Sequence, residues 1–240
     1  AANYGHRTVL FSREMTNQAL GRRVLSQQAR VAALALRRRD VSAEERARIV
    51  SHLPRLAALP VWFDDTTATI GRIRQEVRRG GYRFVVVDYL QLVRSPGIKD
   101  RRLEVSAISA ALKDIAKRFT CSVLSLSSLT RLPKHRGKKQ APDMDALKES
   151  GDLEHDADIV LLLHQPDRDS SDRELIFEKL REGEANAPSD LGRYLDTLQR
   201  RGKLVFGVEL DGGPPRVDIA TRCQIALASL MSHGWIRVDS

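Results

Sequence analysis

Residues 85–92 read "VVVDYLQL", and the fold turns on how that stretch is placed. Phe84 precedes the three valines, so an unbroken apolar run leads straight into Asp88. A continuous β-branched run of this kind describes a strand covered on both faces, as in a parallel sheet. A carboxylate at its end escapes a large desolvation cost only by meeting water, a hydrogen-bond donor or a metal ion. In open α/β sheets the carboxyl ends of strands are where ligands bind. Asp88 is the first candidate functional residue.

Strand and helix signals alternate on both sides of this run. "TVLF" (Thr8 to Phe11) predicts a strand, and Thr16 can cap a helix carrying Leu20, Val24, Val31 and Leu34 at helical spacing. Ser42 with Glu45 forms a capping box before a second helix that runs to about His52. "PVWFDD" (Pro60 to Asp65) predicts a strand ending in two carboxylates. Thr67 to Arg79 reads as a basic amphipathic helix closed by Gly80 and Gly81. After the Asp88 strand and the loop "SPGIKDRR", Val105, Ile108, Leu112, Ile115 and Phe119 line one face of a helix from about Leu103 to Phe119. "CSVLSLSSL" (Cys121 to Leu129) and "DIVLLLH" (Asp158 to His164) predict two more buried strands. This alternation gives an α/β class with a mostly parallel central sheet flanked by helices. Beyond Gly183 the pattern loosens into a helix (Asn186 to Gly202), the strand "KLVFGVEL", a "GGPP" turn, "RVDIA" and a last helix from about Arg222 to Ser232. The expected division is a core over 1–182 and an extension over 183–240, packed on that core or continuing it.

The 240 residues are 42% hydrophobic and 30% charged, the balance of a globular protein without a membrane-spanning run. Two cysteines without paired spacing, and no His/Cys cluster with zinc spacing, fit a reduced cytoplasmic setting. Forty Lys plus Arg against thirty-one Asp plus Glu leave +9, which points to a polyanionic partner. "RLPKHRGKK" (Arg131 to Lys139) concentrates six basic or titratable side chains in nine residues. Arg131, Lys134, Arg136, Lys138 and Lys139 are therefore candidate phosphate contacts, the alternative being a solvated loop. Glu14, Asp64, Asp65 and Asp88 each follow a predicted strand. Converging on one sheet edge they could hold a divalent cation such as Mg²⁺; otherwise they are helix caps and loop acids.

Four blocks then stand in a recognisable order: "FSREM" (Phe11 to Met15), "VVVDYLQLV", "ISAALKDIAKRFTCSVLSLSSLTR" (Ile108 to Arg131) and "LKESGDLEHDADIVLLLH" (Leu147 to His164). Together they resemble the motor domain of the DnaB-family replicative DNA helicases over about residues 8 to 182. The resemblance implies a RecA-like fold, ATP-driven work on single-stranded DNA in replication or repair, and assembly into a ring. By it, Glu14 matches the glutamate that polarises the attacking water, and Asp88 matches the aspartate that holds magnesium. Asp88 and Glu14 thus become the implied metal-side residues, with Asp64 as an additional candidate. Lys148, Glu149 and Gly151 in "KESG" match a loop that grips single-stranded DNA. Lys179 and Arg181 match the lysine and arginine that reach a neighbouring subunit's nucleotide.

Three features depart from the resemblance: Ser127 stands where the family has a glutamine after "LS", which removes a γ-phosphate sensor, the sequence beyond Arg181 has no clear counterpart, and the phosphate loop is missing. The phosphate loop G-x-x-x-x-G-K-[ST] does not occur in these residues, although in the family it precedes the "FSREM" block by a strand and a helix. The expected sheet therefore lacks the phosphate-loop strand, and ATP turnover by these residues alone is not expected. Two explanations remain open: a fragment of a helicase whose phosphate loop lies upstream, or a short homologue without ATP hydrolysis. A metal-dependent nuclease built on Glu14, Asp64, Asp65 and Asp88, and a non-catalytic DNA-binding adaptor of a helicase ring, are the rival functional classes.

Overall fold

The structure is a computed structural model that describes residues 5–129, 134–135, 138–139, 141–147, 151–164, 174–180 and 203–209. Its centre is a seven-stranded sheet. The strands are β1 (Thr8–Ser12), β2 (Val61–Asp64), β3 (Phe84–Asp88), β4 (Ser122–Leu129), β7 (Ile159–His164), β8 (Glu174–Leu180) and β9 (Lys203–Glu209). Their order is β2-β1-β3-β4-β9-β7-β8, and every neighbouring pair is parallel except antiparallel β7 and β8. Lys134–His135 and Lys138–Lys139 form a separate two-stranded hairpin, β5 and β6. The α/β class and the mostly parallel sheet stand as the sequence predicts.

Helix ends follow local chemistry. Thr16 caps α1 (Asn17–Ala29) by accepting from Ala19 N–H, and the Ser42/Glu45 capping box starts α3 (Ala43–Ala57) after the short α2 (Ala33–Arg38). That second capped helix continues past His52, with Pro54 inside its last turn. α4 begins at Ile70 rather than Thr67, because Thr69 accepts from Arg72 N–H as the cap, and ends at Gly80 with Gly81 at φ 59°. Only a residue that tolerates a left-handed backbone closes a helix this way cheaply, which is why a glycine follows the helix. Asp100 accepts from Arg102 and Leu103 N–H and starts α5 (Arg101–Phe119), two residues earlier than the apolar spacing suggests.

The main core lies on one face of the sheet. Val9, Phe11, Val85, Val87 and Val123 pack against Ile73 and Val77 of α4, Ile108, Leu112 and Ile115 of α5, and Leu153 of α6 (Gly151–Asp156). Ser12 and Asp88 alternate with Phe11 and Val87 along their strands, so they face the other way, toward the side that α1 covers.

The strand at 203–209 is not peripheral. β9 pairs with β4 through Val123↔Lys203 to Leu129↔Glu209 and with β7 through Ile159↔Leu204 to Leu163↔Val208. The sheet is consequently continuous across its middle, with no interior gap. The expected helix over 186–202, the "GGPP" turn, "RVDIA" and the last helix lie outside the described residues.

Leu112 is fully buried against the parallel strands. Leu112→Ala should lower unfolding stability by about 2–5 kcal/mol in urea denaturation, the range for a core cavity. A loss below about 1 kcal/mol would contradict the packing described.

Candidate active site

The carboxyl ends of β1, β3 and β4 line up on one edge. The β1–β3 register sets Ser12 opposite Asp88, and both are buried. Ser12 Oγ donates to Asp88 Oδ2 at 3.3 Å, while Met15 N–H donates back to Ser12 Oγ at 3.1 Å. Arg13 N–H donates to the Asp88 carbonyl at 2.9 Å. The turn carrying Glu14 is thereby stitched to the end of β3 by backbone and side chain together.

A second anchor holds the same turn from the other side. Asp65 Oδ2 accepts from Asn17 N–H at 2.8 Å, and the Arg13 guanidinium donates to the Asp65 carbonyl. Asp65 thus acts on the first turn of α1, where a carboxylate also meets the positive end of the helix dipole. Asp64 closes its own turn: its two oxygens accept from the backbone and hydroxyls of Thr66 and Thr67 at 2.6–2.9 Å. Burial opposes its charge, but these four donors outweigh that and hold its carboxyl below the usual value.

Asp88 is in the opposite condition. Its Oδ1 is buried with no hydrogen-bond partner among the described residues. Burial, then the neighbouring Glu14 charge, push its carboxyl up to about 7, against the smaller pull of Ser12 and Arg23. A buried oxygen with no donor is costly, and a divalent cation or its hydration water supplies what is missing. The donor chemistry at Asp88 therefore fits Mg²⁺.

The four acids of the nuclease alternative are engaged in different ways. Among the described residues no three His, Cys, Asp or Glu side chains converge as a metal-holding group. The physical reason is visible at each acid: Asp64 is spent on its own turn and Asp65 on the start of α1. Asp88 and Glu14 alone sense each other as charges.

Residues that the sequence reading passed over brace this edge. Gln91, in the 3₁₀ turn Leu90–Leu92 after β3, donates through Nε2 to Ser127 Oγ at 2.9 Å. Its Oε1 accepts from Ser128 N–H at 3.2 Å, so the ends of β3 and β4 are clamped together. Buried Glu104 accepts from Ser95 N–H, Arg94 and Arg101, while Arg101 also donates to the Gln91 carbonyl. Those bonds to the charged form outweigh burial and lower the Glu104 pKa. A polar residue ending or interrupting an apolar run, as Ser12 does in "FS" and Gln91 in "LQL", was the available signal.

The remaining expected site residues are spread more widely. Lys179 on β8 donates its ammonium to the Glu154 carbonyl in α6. Gly151 is the first residue of α6. Lys134, Lys138 and Lys139 belong to the β5–β6 hairpin, whose register pairs Lys134 with Lys139 and His135 with Lys138. Arg131, Arg136, Lys148, Glu149 and Arg181 lie outside the described residues.

This edge, two acids at the ends of parallel strands beneath a capped helix, defines a RecA-like α/β protein. The family model for the DnaB-like helicase C-terminal domain matches residues 1–189, and the chain belongs to that family. It is 38% identical over 166 residues to the replicative DNA helicase DnaB of Mycobacterium intracellulare, covering 67% of this chain and 29% of that one. To the Geobacillus stearothermophilus DnaB it is 33% identical over 196 residues, 76% of this chain and 43% of that one. A solved DnaB-like replicative helicase, studied with primase, superposes at TM-score 0.70 and 27% identity over 77% of this chain and 48% of that one. A second solved structure, of an ATPase domain, gives TM-score 0.70 at 26% identity, over 77% of this chain and 70% of that one. The two curated relatives are thus matched over less than half of their own length.

The raised Asp88 pKa makes a signed prediction for the metal-free protein. Folded Asp88 keeps its proton to about pH 7, whereas the unfolded carboxyl releases it near 3.8. Stability is then fully present below the unfolded value and falls as pH rises toward 7, by at most about 4 kcal/mol. Asp88→Asn should flatten that slope in urea melts at successive pH values. An unchanged slope in the variant would contradict the assignment.

Proposed function

We propose that this chain forms the water-activating and cation-holding side of an ATP-driven DnaB-type helicase motor that acts on single-stranded DNA in replication. The observation that carries the reading is the buried, half-satisfied Asp88 carboxylate braced beside the Glu14 turn. In this reading Asp88 would hold Mg²⁺, and the ion would supply charge neutralisation for phosphoryl transfer. Glu14 accepts a hydrogen bond from the attacking water and aims its oxygen at phosphorus. The anchors at Asp88 and Asp65 fix the turn that carries Glu14, so its reorganisation cost is met by folding.

The phosphate cradle is the part these residues do not provide, since no G-x-x-x-x-G-K-[ST] occurs among them. A phosphate cradle would have to be supplied to these residues for turnover to occur. Ring assembly follows from the same reading: Lys179 and Arg181 would serve a neighbouring subunit's nucleotide, for which Lys179 must leave the Glu154 carbonyl. Among the described residues no helix is long and apolar enough to cross a membrane. Work on replicating DNA would place the protein in the cytoplasm.

For DNA, the hairpin supplies a physical motive. Lys134, Arg136, Lys138 and Lys139 stand within six residues of sequence, and each phosphate they neutralise would release counterions. Lys148, Glu149 and Gly151 would form the second contact, along the ring's channel.

Residues 1–240 alone should hydrolyse ATP negligibly in a phosphate-release assay. Robust turnover abolished by Glu14→Gln would show that the cradle is already complete. Replacing Lys134, Arg136, Lys138 and Lys139 by Ala should weaken single-stranded DNA binding and reduce the salt slope by about 3. An unchanged slope would assign the hairpin to solvated surface.

A further inference from the structure

The opposite edge of the sheet, where the strands begin, carries a second concentration of charge that the proposed function does not use. Arg7 and Arg83 immediately precede β1 and β3, and their backbones are joined, with Arg83 N–H donating to the Arg7 carbonyl at 2.8 Å. Arg78 and Arg79 close α4, and Lys117 and Arg118 close α5, which ends one turn before β4. All six are exposed. The nearby acids among the described residues are paired or remote: Glu76 with Arg79 at 2.7 Å, Asp114 with Arg74 at 3.0 Å, while Asp64 acts on Tyr82 as a charge.

Helix dipoles favour cations in the last turns of α4 and α5, which is sufficient reason for those four. It does not account for Arg7, Arg83 or the aromatic pair beside them. Trp62 and Tyr82 meet edge to face with centroids 5.4 Å apart, and the Arg7 guanidinium lies 4.4 Å from the Trp62 ring. Arg7 Nε donates to the Gly80 carbonyl at 2.8 Å, which fixes the guanidinium on the indole. Trp62 nonetheless stays 38% exposed at the outer strand β2. An exposed indole stiffened by an arginine, beside a row of cations crossing three strand spacings or about 14 Å, is built like a base-stacking platform with a phosphate track.

We propose that this edge, centred on Arg7, Trp62, Tyr82 and Arg83, is a second binding surface for single-stranded nucleic acid, separate from the β5–β6 hairpin. Trp62 offers its face to a base, and the arginines neutralise successive phosphates by counterion release. An acidic protein segment would satisfy the charges, and the stacking contribution of Trp62 to oligothymidylate binding separates the two.

The test uses the full chain with Lys134, Arg136, Lys138 and Lys139 already replaced by Ala, so that the hairpin does not contribute. Anisotropy of a labelled oligothymidylate over a salt series should still show binding. Adding Arg7→Ala, Arg79→Ala and Arg83→Ala should weaken it about tenfold or more and reduce the salt slope by about 2. Trp62→Ala should weaken it about fivefold or more. A separate set, Arg78→Ala with Lys117→Ala and Arg118→Ala, leaves the Arg7 anchor intact and should act in the same direction if circular dichroism is unchanged. Equal affinity and slope in both folded sets would overturn the proposal, and so would polyglutamate competing as well as oligothymidylate with no effect of Trp62→Ala. The hairpin reading fails separately, when neutralising the hairpin leaves total binding unchanged.

Discussion

The parallel pairing of β1 with β3 places Ser12 opposite Asp88, and the chemistry of the molecule depends on that register. Side chains alternate along a strand, so slipping β1 by one residue against β3 would carry Phe11 out of the core and take Ser12 away from Asp88. The apolar core on one face therefore fixes the polar site on the other. Asp88 is buried at the sheet end with one oxygen bonded to Ser12 and the other without a donor among the described residues. A fold that keeps so costly a group in place must recover the energy elsewhere, and the packed α4 and α5 face is where it does so.

Rigidity at this edge comes from short polar bridges rather than from further burial. Arg13 and Met15 tie the Glu14 turn to β3 and Ser12, and Asp65 ties the same turn to the end of β2. Gln91 joins the β3 turn to Ser127 and Ser128, and Arg101 links Gln91 to buried Glu104. Arg7 and Arg83 mark the amino ends of β1 and β3, opposite the edge that carries Asp88.

Much of the scaffold was legible because it follows from local rules. The "FVVV" run, the Ser42/Glu45 box, the Thr16 cap and the Gly81 stop each act over a few residues, and each stands where the sequence put it. Strand order is not a local property, so nothing in "KLVFGVE" announced that it would lie between β4 and β7. The acids show the same division at finer scale. Glu14, Asp64, Asp65 and Asp88 look alike after a strand, yet two threonine residues occupy Asp64 and the α1 terminus occupies Asp65. Which N–H groups reach which oxygen is decided by the turn, and one-dimensional spacing does not carry that.

The central claim is that Asp88 faces a divalent cation, and paramagnetic Mn²⁺ tests it directly on the isolated chain, without nucleotide or turnover. Amide resonances of Ser12, Arg13, Glu14 and Asp88 should broaden selectively as Mn²⁺ is added in NMR titration, and Mg²⁺ in excess should restore them. In Asp88→Asn the same resonances should remain sharp at the same Mn²⁺ concentration. Broadening confined to other acids, or identical in wild type and variant, would contradict the account.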